Sequence, residues 1–182
     1  MKRPPKSAGK VVILENSEPI RVETAQMESR IRERAYELSQ TRGHSGRHVE
    51  DWLSAESEIR SVPPAEVIER NGEYQVRLAV AGINPDDVNV MASTDQLLVK
   101  CEFRHDHSSE SGIVHFCDFK PVTVFRALQL PYAIDLMSMK VQFEDGMLRI
   151  TAAKEGAEQV SKRQPVRRPA ARKGTKGALG AA

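Results

Sequence analysis

Aromatic side chains are scarce in this chain. One Trp, three Tyr and five Phe serve 182 residues, of which 29% are Asp, Glu, Lys or Arg. So few bulky side chains among so much charge do not fill one core along the whole length, and a single domain with appendages is expected. Cysteine is limited to Cys101 and Cys117. Two cysteines make no disulfide framework, and a reducing, cytoplasmic setting is the default. No apolar run reaches the roughly 18 residues that a membrane helix needs, so no membrane partner is expected. The basic start Met1-Lys2-Arg3 is not followed by a secretory apolar region, because Val11-Val12-Ile13-Leu14 is too short. The sequence also lacks a Gly-rich phosphate loop, a nucleophile elbow and a paired-histidine metalloprotease helix. These absences point away from an enzyme and from any cofactor.

What is present divides the chain. Residues 61–154 carry more acidic than basic side chains, whereas residues 155–182 are rich in Pro, Gly, Ala and basic groups, among them Lys162, Arg163, Arg167, Arg168, Arg172, Lys173 and Lys176. This composition reads as a disordered, solvating tail. Its basic groups are able to neutralise phosphates. They have no aromatic interleaving on which bases would stack, and nucleic acid is not the expected partner. Residues 1–27 have prolines near the start and few large apolar residues, and read as a disordered segment. Within it Val11–Leu14 and Ile20–Val22 are candidate short strands.

Residues 28–60 have helical periodicity. Ile31, Ala35 and Leu38 recur at i, i+4 and i+7, and Gly43 closes that helix. Val49, Trp52, Leu53, Glu56 and Ile59 mark a second helix, with Glu50 and Asp51 in its first turn. Two such helices joined by a short loop form a helical hairpin. Two short helices are marginal alone, so Trp52 and Leu53 need a partner surface. For Trp52 the plainer reading is the hairpin's own core, and the sharper one is an exposed docking aromatic. Ser61-Val62-Pro63-Pro64 is a stiff joint.

Residues 64–154 alternate with period two. Tyr74, Val76, Leu78 and Val80 share one face of a strand that follows an Asn71-Gly72 turn. Leu97, Val99 and Cys101 share another, leaving Leu98 on the opposite side. Met139, Val141 and Phe143 alternate with Lys140, Gln142 and Glu144, and after Asp145-Gly146 come Leu148 and Ile150. Alternation on both sides of an Asp-Gly turn is a strong hairpin signal. About seven short strands separated by turn signals predict a mainly β fold, an immunoglobulin-like antiparallel β-sandwich. Cys101, His105, His107, His115 and Cys117 contain soft ligands, but their spacing matches no standard zinc pattern and Cys101 points to the core, so no metal is expected.

Several motifs in this region stand in a recognisable order: Gly82-Ile83-Asn84-Pro85-Asp86-Asp87-Val88, Leu130-Pro131, Asp135 and Asp145-Gly146-Met147-Leu148. Residues 64–154 thereby resemble the α-crystallin domain of the small heat-shock proteins. The hairpin, through Ile31–Leu38 and Val49–Glu56, resembles a small bacterial helical family of unknown function. The first resemblance implies an ATP-independent holdase that binds unfolding client proteins. It implies a groove between the strand of Val88 and Val90 and the strand of Met139 and Val141, where extended segments add by backbone pairing. Two departures stand out. Where the family has an Arg two residues after its Phe, this chain has Ala127, with Arg126 one position earlier. The family's C-terminal Ile-x-Ile/Val anchor is missing from the tail, which favours a dimer or loose oligomer over a large cage. The rival expectations are a co-chaperone adaptor like the CS-domain family, which shares the sandwich, and a nucleic-acid-associated protein acting through the basic tail.

Overall fold

The computed structural model describes residues 9–43, 46–103, 112–118 and 120–156. Two sheets form a β-sandwich. One consists of β3 (Ala65–Arg70), β4 (Glu73–Ala79), β9 (Met147–Ala153) and β8 (Lys140–Glu144), in that spatial order, and is antiparallel throughout. The other is ordered β1 (Lys10–Ile13), β5 (Asn89–Ala92), β6 (Gln96–Phe103), β7 (Val122–Gln129) and β2 (Arg60–Ser61). Its three middle strands are antiparallel, and the two short outer ones are parallel to their neighbours.

The two tight hairpins form where the sequence places turn residues. Asn71 and Gly72 have φ of 53° and 79°, and Asp145 and Gly146 have φ of 51° and 75°. Two consecutive left-handed residues match the twist of the flanking strands, and Asn-Gly and Asp-Gly are the pairs that reach this conformation at least cost. Between the sheets, Tyr74, Val76, Leu78 and Val80 meet Leu97, Val99 and Cys101 in one buried cluster, which also takes in Leu148 and Ile150. The predicted sandwich and its inward alternation are therefore observed.

A second core lies outside the sandwich. Leu98 and Phe125 project from the far face of the five-stranded sheet and are buried against Ile20, Met27, Ile31 and Ala55. These last four belong to α1 (Glu18–Thr41) and α2 (His48–Ile59), which form the helical hairpin. The helices thus dock on the sheet as a third layer, and Leu98 is buried by them.

Three expectations about the N-terminal region need correction. The first helix begins at Glu18, so residues 18–27 are helical and not a disordered segment, and Ile20–Val22 is helix instead of strand. The start is written in Asn16-Ser17-Glu18-Pro19. The Asn16 side-chain oxygen accepts from the Glu18 N–H at 3.0 Å, and proline is tolerated in a first turn because its missing N–H has no partner there. Ile20, Met27 and Ile31 then form the stripe that meets the sheet. Residues 10–13 form β1, so the candidate strand at Val11–Leu14 is observed and the segment around it is not wholly disordered. Finally, the buried face of α2 is rotated from the expected one. Asp51 and Ala55 are buried, Trp52 and Ile59 are half-buried against the second core, and Val49 and Leu53 are 73% and 58% exposed. Hydrophobic periodicity misassigns this face because its first buried member is a carboxylate. Asp51 is held 2.5 Å from Arg42 at the end of α1, and that pairing makes its burial tolerable.

The joint after α2 is also more than a stiff link. Arg60 and Ser61 pair with Thr123 and Val124 as β2, and Pro63 is buried.

A cleft where the two sheets meet

At one side of the sandwich, β5 of one sheet and β8 of the other approach each other. Period-two alternation decides which side chains line the junction. From β5 and the residue before it, Val88, Val90 and Ala92 point inward and are completely buried. From the opposite sheet, Met139 and Val141 are half-buried and rest on the same cluster. Of the four residues expected to line a groove, Met139 and Val141 keep accessible surface, while Val88 and Val90 are sandwich core with none, and the open cleft beyond the end of β1 is lined by none of the four.

The edge of β5 is occupied. β1 lies along it in parallel, with Lys10, Val11, Val12 and Ile13 opposite Asn89, Val90, Met91 and Ala92. The Gly9 N–H donates to the Pro85 carbonyl at 2.8 Å, Lys10 to Val88 at 3.0 Å and Leu14 to Ala92 at 2.8 Å. Beyond the end of β1 a cleft of about 620 Å³ remains open, with Ile13, Leu14, Ile134, Leu136 and Met137 among its walls. Met137 is 90% exposed, which is unusual for so large an apolar side chain. It sits on a single 3-10 turn, Leu136–Ser138, shaped by Asp135, whose side chain accepts from the Met137 N–H at 2.9 Å. The turn feeds directly into β8, whose outer edge is unpaired among the described residues.

Lys154 forms part of the rim. Its ammonium is 2.9 Å from Glu69 and 3.9 Å from the centre of the Tyr132 ring. The hydrogen bond to Glu69 is the main reason its pKa is raised, and the charge is fixed at neutral pH. The cleft therefore combines an apolar wall with a charged rim, and the open edge of β8 follows it in the chain.

The other candidates fall elsewhere. Trp52 is part of the second core, in line with its plainer reading, and Leu53 is exposed on the far side of α2. Cys101 is in the sandwich core, where burial, followed by Asp87 and Glu102, pushes its thiol from 9.0 to about 11. Cys117 and His115 are exposed, while His105 and His107 lie outside the described residues, as do the tail cations from Lys162 onward. Ala127 faces the hairpin side and borders Ile20, Thr24 and Ala25 of α1. Arg126, one residue earlier, points to the opposite side of the sheet, and its buried Nε has no hydrogen-bond partner. The sequence reading missed the pairing of β1 with β5 and the role of Leu136 and Met137. The signal for β1 was the apolar run Val11–Leu14. Nothing local to that run names its partner strand.

Comparison with known proteins gives two family matches. The Hsp20/alpha crystallin family model matches residues 66–167, and a model for a family of unknown function, DUF2934, matches residues 26–61. No curated protein matches the chain. Among solved structures, heat shock protein 16.0 from Schizosaccharomyces pombe is 22% identical, with 58% of this chain and 98% of that chain covered and a TM-score of 0.48. A small heat-shock protein from Xylella fastidiosa is 20% identical, covers 66% and 97%, and has a TM-score of 0.44. A small heat shock protein from Synechococcus phage S-ShM2 is 29% identical over 50% and 86%, with a TM-score of 0.38.

Proposed function

The chain belongs to the Hsp20/alpha crystallin family, the family of small heat-shock chaperones, and on that premise we propose that it is an ATP-independent holdase. It binds unfolding client proteins and keeps them from associating with one another. The observation that carries this reading is the open cleft with Ile13, Ile134, Leu136 and the exposed Met137 in its walls, just ahead of β8, an edge strand that carries the half-buried Val141 and whose outer side is unpaired among the described residues. An unfolding protein supplies what such a site takes, an extended backbone with apolar side chains. Binding the unfolded form lowers its free concentration by mass action, and that alone slows aggregation. No covalent step is involved, and the protein is not an enzyme in this reading. It self-associates as a dimer or loose oligomer and works in the cytoplasm. No helix among the described residues is long and apolar enough to cross a membrane.

The test is light scattering from a thermally aggregating protein, without nucleotide, with and without stoichiometric amounts of this chain, alongside size-exclusion chromatography. Suppression of scattering and a client-containing complex are expected. Unchanged scattering at every temperature sinks the holdase reading.

A further inference from the structure

A thioether is oxidised by direct attack of its sulfur on the oxidant, so the reaction follows access. The methionines of this chain differ widely in that respect. Met27 is 3% exposed in the second core, and Met91, Met139 and Met147 are half-buried. Met137 stands almost free of its neighbours. Its exposure is not that of a loose loop. The Asp135 side chain accepts from the Met137 N–H at 2.9 Å, and the Asp135 carbonyl accepts from the Ser138 N–H at 3.1 Å and the Ser138 hydroxyl at 2.7 Å. The Ser138 Oγ in turn accepts from the Ala153 N–H of β9 at 2.8 Å. Leu136 and Met139, on either side, rest against the sandwich core. A turn pinned to β9 thus presents one thioether to solvent, and it does so in the wall of the open cleft.

We propose that Met137 is a site of oxidation by hydroperoxides, and that its sulfoxide turns this wall of the cleft from apolar to polar while the fold stays intact. The proposal rests on the holdase reading for what the cleft binds. The site of oxidation and the change it makes in the cleft do not depend on that reading.

The step is complete with the peroxide as its one reactant. The sulfur attacks one oxygen of the peroxide, the S–O bond forms as the O–O bond breaks, and the departing hydroxide takes up the proton left on the transferred oxygen. Sulfur is oxidised by two electrons, and the peroxide is reduced to water. The product is a polar side chain with a strong acceptor where an apolar one stood. An apolar client group that packs there has to strip water from the S–O dipole and offers no donor in return, so binding weakens. The sandwich loses nothing, because Met137 contributes no burial to it. The same oxygen on Met27 would lie among Ile20 and Ile31 and open the second core, but burial shields that sulfur. Oxidant therefore reaches the cleft before it reaches either core. A methionine sulfoxide reductase reverses the change, with two thiols passing to a disulfide as the oxygen leaves as water.

The test treats the full chain with dilute hydrogen peroxide and follows each methionine by peptide mass spectrometry, with circular dichroism on the same samples. Met137 is expected to gain its oxygen several-fold faster than Met27, Met91, Met139 and Met147, with the spectrum and the melting temperature unchanged. Two readouts then report on the cleft: suppression of client scattering, and fluorescence of the apolar-surface probe 8-anilinonaphthalene-1-sulfonate. Met137→Leu has no sulfur to oxidise at this position and is compared with itself before and after treatment. The oxidised unaltered chain is expected to lose probe fluorescence and to need at least about fivefold more protein for half-suppression. Reductase with dithiothreitol restores both, and Met137→Leu does not respond to peroxide. Another methionine oxidised as fast as Met137 in the folded chain, equal losses in Met137→Leu, or unchanged probe fluorescence once Met137 is fully oxidised overturns the proposal. A probe response confined to the chain with Met137, but no suppression even by untreated protein, leaves the oxidation site standing and removes the holdase.

Discussion

The two sheets of the sandwich share one core but meet solvent differently. The sheet β3-β4-β9-β8 turns Gln75, Arg77, Arg149 and Thr151 outward, with an ion pair between Arg77 and Glu66. It needs no cover, and its two edge strands have open sides among the described residues. The sheet containing β5, β6 and β7 turns Met91, Leu98 and Phe125 outward, and the N-terminal region closes it on three sides. β1 lies on one edge, β2 on the other, and the hairpin lies across the face. The difference is written in Leu97-Leu98-Val99. A strand with only one buried face alternates, whereas one buried on both faces reads as a continuous apolar run. Where the sandwich alone has a single use for apolar side chains, the second apolar face is a demand for another layer.

The strongest way to break this contrast is to place the same charge on both outer faces. Leu98→Asp buries an unpaired carboxylate beneath α1 and is expected to cost several kcal/mol, about 3–5, lowering the melting temperature by more than about 10 °C. Gln75→Asp, on the polar face, is expected to cost less than about 1 kcal/mol. Thermal melts of the two variants compare them directly. Equal losses would mean that the hairpin does not cover Leu98 in solution.

A smaller effect is expected where the hairpin is held to itself. Asp51 is 2% exposed and Arg42 is its partner, with a side chain 43% exposed. In Asp51→Ala the guanidinium recovers water, so the loss is that of one charge-assisted hydrogen bond, about 1–2 kcal/mol. It should appear as increased hydrogen exchange in residues 18–59, with the sandwich strands still protected. Uniform loss of protection across both regions would show that hairpin and sandwich unfold as one unit.

The bare sheet yields the next comparison. Val141→Asp changes a half-buried side chain on the unpaired edge strand, where the new carboxylate stays partly solvated. Circular dichroism should report a folded domain with a melting temperature reduced by only a few degrees, and suppression of client aggregation should weaken clearly. A folded variant with unimpaired suppression takes Val141 out of the client site.

The same contrast explains what was legible in the sequence. Strand boundaries in residues 64–154 were readable because most strands have one wet face and each tight turn carries Asn-Gly or Asp-Gly. The first turns of α1 were not. Their inward side chains, Ile20, Thr24, Met27 and Ile31, include a threonine whose hydroxyl donates to the Ile20 carbonyl at 2.9 Å, and the rest of the helix surface is polar, so a ten-residue window finds little apolar signal. Asp51 misled in the opposite sense, because a buried carboxylate is indistinguishable from a solvated one until its Arg partner is known. The half-buried positions of Met139 and Val141 followed from their alternation, whereas the cleft walls at Ile134, Leu136 and Met137 carried no periodic signal. The covering of Val90 by β1 depends on a contact between residues about eighty positions apart, which no local pattern encodes.

The smallest effect at neutral pH concerns the two cysteines, one inside the sandwich and one on its surface. Burial raises the Cys101 thiol to about 11 because the thiolate is poorly solvated there. Cys117 is exposed. A thiol-specific alkylating reagent near pH 8 should therefore modify Cys117 promptly and leave Cys101 intact until the sandwich opens, since the thiolate is the reactive form. The sign of the pH effect follows. In the folded state the proton is held up to about 11, whereas the unfolded thiol releases it near 9.0. Between those values the unfolded chain binds fewer protons, so stability falls as pH rises. The contribution of this group is complete below about pH 9 and is lost as pH climbs toward 11. Cys101→Ser, which has no thiolate to form in that range, should flatten this part of the stability profile measured by urea unfolding at pH 8, 9 and 10. An unchanged slope in the variant, or modification of Cys101 as fast as Cys117 in the folded protein, would show that the interior at β6 is open to water.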